Sequence, residues 1–349
     1  LRLFLIWVSI ALSINLNVLA SQDAAAFNQD ELYKKASAIL DNYNGTESSL
    51  YEARGYLEKI LEVNPDYAPA YVGLARVEYK LGYINYDNYK KENLQQAHQY
   101  LSKALLIAPE LFEAYITRGY VYLFQKDLAD ARNMAEGAAK LRPSAPEVNL
   151  LLAGIAYKEK KYDEAVKKAK EVLLASDNKK LKIEAWGILG PVYNIRQEYA
   201  LAEKTYLEQI KLDPDSAWAK INYSAFLIRR QNYDLAIEVS QAALRDMDLG
   251  MGHYVLAMAY YKKGAELCWD KAKYEEAEKA FLSSLEHNAY YANTYYGLGV
   301  CYRFISARLK DRAMLDKSEQ AFRTALAIDP QHELAKKELQ KQLELKGAK

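Results

Sequence analysis

The chain has 349 residues, 51% of them apolar and 27% charged, a balance that supports a large buried core. Its 47 Lys and Arg stand against 46 Asp and Glu, a net charge of +1, with no block of one sign; a nucleic-acid partner would call for a basic patch or stripe, so none is expected. Gly and Pro are scarce, at 15 and 8, which favours helix over sheet or disorder.

At the N-terminus, Arg2 precedes an apolar run from Leu3 to Leu12, and Val18-Leu19-Ala20 follows in a small-x-small pattern. The run is short for a membrane span, so residues 1–20 read as a secretory signal peptide cut after Ala20, with residues 21–29 as a linker. An uncleaved anchor helix is the alternative. No Cys follows the run, which argues against a bacterial lipid anchor. Leu1 in place of Met is compatible with a bacterial start codon or a truncated gene model. The expected location is periplasmic or secreted, with no membrane span once the signal is removed.

Beyond residue 30 the sequence repeats itself. The phrase Tyr162-Asp163-Glu164-Ala165 has relatives ending at Ala53, Ala97, Ala131, Ala202, Ala236 and Ala277, and a degenerate last copy ends at Ser318. The steps between them are 44, 34, 34, 37, 34, 41 and 41 residues. Twelve residues after each comes a helix-stopping position: Pro65, Pro109, Pro143, Asp177, Pro214, Asp248, Ala289 and Pro330. Proline cannot continue a helix, and eight markers in phase fix the register. Between them small residues recur at three and four, the period of a helix. The preceding stretch carries large residues and a glycine, as in Tyr115-Ile116-Thr117-Arg118-Gly119-Tyr120-Val121-Tyr122. A glycine is costly inside a helix and reasonable where a neighbouring helix needs the space.

Tyr295-Tyr296-Gly297-Leu298-Gly299-Val300-Cys301-Tyr302 and Trp186-Gly187-Ile188-Leu189-Gly190-Pro191-Val192-Tyr193, followed by Ala277-Glu278-Lys279-Ala280-Phe281 and Ala202-Glu203-Lys204-Thr205-Tyr206, resemble the tetratricopeptide repeat family, whose unit is a 34-residue helix-turn-helix. The resemblance covers residues 30–330. It implies an all-α fold: a right-handed superhelical solenoid of about eight helix-turn-helix repeats, with residues 331–349 as a capping helix and tail. Three units are longer than the family pattern, by ten residues around Tyr83 to Glu92, seven around Ala265 to Lys271 and seven around Ser306 to Arg312. Seven and ten residues are close to two and three helical turns, so both helices of these units are expected to lengthen and project, with Tyr83, Tyr86, Tyr89 and Trp269 on the projections. A plain loop is the alternative.

No catalytic constellation is present, and the chain is read as a non-enzyme without cofactor or metal. His98, His253, His287 and His332 fall in different units, and no two share the four-residue spacing of a zinc pair on one helix. Gly297-Leu298-Gly299 lacks the preceding strand and third glycine of a dinucleotide loop. Cys301 falls mid-helix and Cys268 in an extended segment one repeat earlier, so they are expected to remain separate thiols. Asn44-Gly45-Thr46 and Asn222-Tyr223-Ser224 match the glycosylation sequon, relevant only in a eukaryotic host.

The family resemblance also implies where a partner sits: along the concave face lined by the first helices. The positions expected there include Arg76, Tyr79, Tyr120, Phe124, Tyr157 and Lys158 in the first half, and Trp218, Arg229, Tyr261, Tyr296 and Arg303 in the second. Val72, Leu150, Ile221, Ile228 and Val300 lie beside them. Exposed apolar groups on such a face ask for a cover, and the cations suit acidic groups. Glu113, Glu147 and Glu184 on the same face would oppose the terminal carboxylate gripped by chaperone-binding members of the family. The expected partner is a protein or peptide segment held in the groove, by an exported interaction scaffold in envelope assembly or secretion. The alternative is a periplasmic carrier of an apolar small ligand accessory to a transport system.

Overall fold

The computed structural model describes residues 28–43, 45–85 and 88–347. The expected signal peptide and most of the linker lie outside them, as do Asn44, Tyr86, Asp87, Ala348 and Lys349. The described residues form seventeen helices and one short hairpin. None of the helices is long and apolar enough to cross a membrane. They divide into two compact units, one running to Val172 and one starting at Leu173.

In the N-terminal unit the order is α1 (Gln29–Asp41), α2 (Glu47–Val63), α3 (Ala68–Leu81), β1 (Tyr83–Asn85), β2 (Asn88–Tyr89), α4 (Lys91–Ile107), α5 (Phe112–Gln125), α6 (Leu128–Leu141), α7 (Pro146–Lys158) and α8 (Tyr162–Ala175). In the C-terminal unit it is α9 (Lys179–Ile195), α10 (Tyr199–Leu212), α11 (Ala217–Arg229), α12 (Tyr233–Asp246), α13 (Gly250–Trp269), α14 (Tyr274–His287), α15 (Ala292–Leu309), α16 (Arg312–Ile328) and α17 (Glu333–Gly347).

The two sequence markers bracket the even-numbered helices α2 to α16. Each ends two residues before its stop position: Val63 before Pro65, Ile107 before Pro109, Leu141 before Pro143, Ala175 before Asp177, Leu212 before Pro214, Asp246 before Asp248, His287 before Ala289 and Ile328 before Pro330. The seven marker alanines are fully buried. Ser318 takes the same slot in the last copy, where its hydroxyl donates to the Gly299 carbonyl at 2.7 Å. A buried hydroxyl left without a partner would cost about 1–3 kcal/mol, so this bond is what makes serine acceptable there. Ser284 solves the same problem by bonding to the Ala257 carbonyl and to Thr294, both at 2.8 Å.

Glycines in the first helices make room for large residues of neighbouring helices. A Cβ on Gly297 would stand 2.5 Å from the Phe281 ring, and one on Gly264 would stand 2.8 Å from it. Phe281, on α14, therefore fills the space between α13 and α15. At Gly119 the added carbon would meet Leu151 at 2.4 Å, which is why α5 carries a glycine where helix propensity alone disfavours one.

The three long units differ from the expected pair of projecting helices. Only the third follows it, with α15 at 18 residues and α16 at 17. In the second, the extra turns fall on the first helix alone: α13 has 20 residues and α14 keeps 14. In the first, the insertion is an antiparallel hairpin, with Tyr83 opposite Tyr89 and their rings edge to face at 5.5 Å. Extended Tyr-Ile-Asn suits strand geometry, and α4 gains one turn at its start.

Cys268 also departs from expectation. It lies in α13, because that helix runs on to Trp269, and both thiols are buried in one apolar cluster. They hydrogen-bond to each other, a contact that, with burial, pushes the Cys301 thiol up. Cys301 also approaches the Tyr274 carbonyl at 3.2 Å.

Candidate functional site

The first helices of the N-terminal unit, α1, α3, α5 and α7, pack side by side in order, so side chains one period apart in sequence become neighbours. Phe124 on α5 is the centre of one such group. Its ring lies 5.3 Å from Tyr79 of α3 and 6.1 Å from Tyr120 one turn earlier on its own helix. Tyr89, from the hairpin, stacks on it at 4.6 Å with planes 16° apart. The four rings are partly exposed, and aromatic groupings of this kind offer large, rigid contact area. Tyr79, Tyr120 and Phe124 were legible as face positions. Tyr89 was not, because its place depends on the hairpin.

The cations on this face have protein partners. Arg76 donates to Asp41 of α1 at 2.6 Å, so it is not the open receptor for an acidic partner that its position suggests. The Lys80 ammonium sits 4.8 Å over the Tyr43 ring. Tyr157, near the end of α7, lies 6.4 Å from Tyr162 and carries the Lys158 ammonium 5.8 Å above its ring. Glu113, at the start of α5, pairs with Arg142 at 3.0 Å.

In the C-terminal unit most expected face residues serve the interior. Tyr261 is 8% exposed; it meets Tyr291 edge to face at 5.5 Å, and burial pushes its phenol up. Tyr296 is held among Trp269, Phe322 and His332, with centroids 5.3–6.3 Å away. Arg303 is ion-paired with Glu338 of α17. Trp218 is half-buried at the start of α11, and Arg229 is exposed at its end. Val72, Leu150, Ile221, Ile228 and Val300 are buried and do not line an open face. The reason is geometric: in the packed layers α1–α3–α5–α7 and α11–α13–α15, a branched side chain at these positions meets the adjacent helix before it reaches solvent. Asn222, of the second sequon, is exposed.

The histidines separate into two kinds. His98 bonds to Gln125 at 2.8 Å and lies against Tyr122, where burial holds it below the usual imidazole range. His332 precedes α17 and accepts from the Ala335 amide of its first turn at 3.2 Å. His253 and His287, although in different helices, meet with their Nδ1 atoms 3.1 Å apart. Among the described residues no group of three or more His, Cys, Asp and Glu converges as a metal cluster would.

Residues 116–179 match the tetratricopeptide repeat family. No curated protein matches the chain. Among solved structures it resembles human IFIT1 in the dimer with m7Gppp-AAAA, at 15% identity and a TM-score of 0.61 over 91% of this chain and 72% of that one. A chain of the APC/C hetero-tetramer Cut9-Hcn1 matches at 17% identity and 0.58, over 87% of this chain. Yeast Tom70 matches at 15% identity and 0.50, over 93% of this chain and 65% of that one. The chain spans 54% of the matched Cut9-Hcn1 chain. At these identities the likeness is one of fold. The family match over residues 116–179, the markers in phase from Ala53 to Pro330 and the helix pairs they bracket support a tetratricopeptide repeat assignment for the chain.

Proposed function

We propose that the chain is an exported scaffold that holds a polypeptide segment against the first-helix face of its N-terminal unit. The observation that carries this reading is the ring cluster of Tyr79, Tyr89, Tyr120 and Phe124: four partly exposed aromatics, three on the packed first helices and one on the hairpin. Rigid aromatic anchors lose little conformational entropy on binding and dominate interface energetics. Proteins of this fold generally act through protein–protein contact, which supports a polypeptide as the occupant. The bound segment is expected to present apolar anchors. Acidic groups would have to meet the rim of this face, since Arg76 already holds Asp41.

The test uses the full chain, tagged at its C-terminus, to capture partners from extracts of its host's periplasm or culture medium. Wild type is expected to retain a specific polypeptide, and the folded Tyr120→Ala/Phe124→Ala variant to lose it by at least about tenfold, as loss of a hot spot of 2 kcal/mol or so implies. Equal recovery rejects the face. Human IFIT1 has been solved with m7Gppp-AAAA, so a labelled RNA oligonucleotide is run in parallel. Retention of RNA with no polypeptide rejects the reading as well.

Export rests on the N-terminal segment read from the sequence, an apolar run from Leu3 to Leu12 that closes on Val18-Leu19-Ala20. Intact-mass measurement of protein recovered from fractionated host cells is expected to show a chain starting at Ser21 outside the cytoplasm. A cytoplasmic chain that retains residues 1–20 would remove this part of the proposal and leave the aromatic face standing.

A further inference from the structure

We propose that His253 and His287 form a two-histidine site for a divalent transition-metal ion of the zinc, nickel or copper class on the C-terminal unit. His253 stands in the first turn of α13, and His287 is the last residue of α14. These helices are antiparallel partners of one repeat, so the start of one lies beside the end of the other. The two Nδ1 atoms are 3.1 Å apart, with ring centroids at 5.3 Å and planes inclined by 31°. Two nitrogens bound to one tetrahedral ion at about 2.0–2.1 Å lie about 3.3–3.4 Å from each other. The observed spacing needs an opening of only a few tenths of an ångström.

The surroundings fix the rings as a metal site requires. Asp248 accepts from His253 Nε2 at 2.7 Å. That bond places the His253 proton on Nε2 and leaves its Nδ1 lone pair facing His287, the carboxylate–histidine arrangement that orients metal-bound imidazoles. Tyr260 stacks on His287 with planes 2° apart, and its hydroxyl accepts from Gln241 at 3.1 Å, which holds the second ring from its far side. Without metal, His287 Nδ1–H donates to His253 Nδ1. When an ion enters, that proton moves to His287 Nε2 through solvent, both Nδ1 atoms become ligands, and no proton is released from the neutral pair. Imidazole nitrogen suits zinc, nickel and copper better than the hard cations magnesium and calcium. The side chain of His253 is 37% exposed and that of Asp248 85%, so an ion has access and water completes its shell. The site is independent of the aromatic face.

The experiment titrates Ni²⁺, and separately Zn²⁺, into chelator-stripped full-length protein without a histidine tag, followed by calorimetry. One equivalent per chain is expected, lost by at least tenfold in affinity in His253→Ala and in His287→Ala and kept in His332→Ala. Asp248→Asn is expected to weaken binding about tenfold, the usual effect of losing a partner that orients a metal-bound histidine. Circular dichroism confirms that each variant is folded. With Cu²⁺, electron paramagnetic resonance of the wild type is expected to show two equatorial nitrogens. No stoichiometric binding, or binding that survives both histidine variants, overturns the proposal.

Discussion

Phe281→Ala is expected to destabilise the C-terminal unit by about 3–5 kcal/mol, the range for emptying a fully buried aromatic site. Phe281 has no exposed surface, and its ring fills the gap left by Gly264 on one side and Gly297 on the other. Neither glycine has a side chain that can swing into the void, so the site collapses poorly and the upper half of the range is expected. Phe281→Leu keeps most of the volume and should cost less, about 1–2 kcal/mol. Because each repeat is stabilised by its neighbours, the loss is expected to concentrate in hydrogen-exchange protection of α13 to α16. Urea denaturation of the two variants gives the energies, provided that different probes report one transition. A cost below about 1 kcal/mol for Phe281→Ala would mean that the ring does not bridge α13 and α15.

The fold was legible because a repeat array writes the same instruction many times. The Ala-to-stop interval of twelve residues needs no tertiary information: it marks a helix by its small face and its end. What stayed hidden depends on contacts between repeats. Asp41 and Arg76 are 35 residues apart, as are Arg303 and Glu338. Each pair spans about one period, which a stack of repeats turns into contact. The histidine pair has a similar interval of 34 residues but joins the start and the end of the two helices of one repeat, while the usual search for zinc ligands looks for spacings of four on one helix. Cys268 and Cys301, on the first helices of adjacent repeats, come together because about one period separates them; both remain free buried thiols, as expected, and only the place of Cys268 inside a helix differs. The hairpin was illegible for a different cause. Its central Asn85-Tyr86-Asp87-Asn88 lacks the Asn-Gly or Asp-Gly step that signals a tight turn, and the ten extra residues alone fit three helical turns as well as a pair of strands. Tyr89 was therefore recognised as an aromatic on an insertion but not as the fourth ring on Phe124.

The register of the N-terminal unit can be tested by a single charge. Ala131 is fully buried on α6, in a cluster with Leu123, Ala135, Leu151 and Ile155. Ala131→Glu places a carboxylate among apolar groups. Its neighbour Arg132 is already committed to Glu159 at 2.8 Å and to Glu164 at 3.4 Å. A buried charge without a partner costs about 3–5 kcal/mol, and the added volume increases the strain. Glutamate is a good helix former, so the cost cannot be assigned to secondary-structure propensity. Ala129→Glu supplies the control: it adds the same side chain two residues earlier, at an exposed position, and is expected to stay within about 0.5 kcal/mol of wild type. For a unit of this size each kcal/mol shifts the melting temperature by about 2–4 °C. The buried substitution should therefore lower melting by about 6 °C or more while the exposed one leaves it nearly unmoved. If the two variants melt alike, α6 does not present Ala131 to α5 and α7. The order of the first-helix layer, and with it the seat of Phe124 and its three tyrosines, would then have to be redrawn.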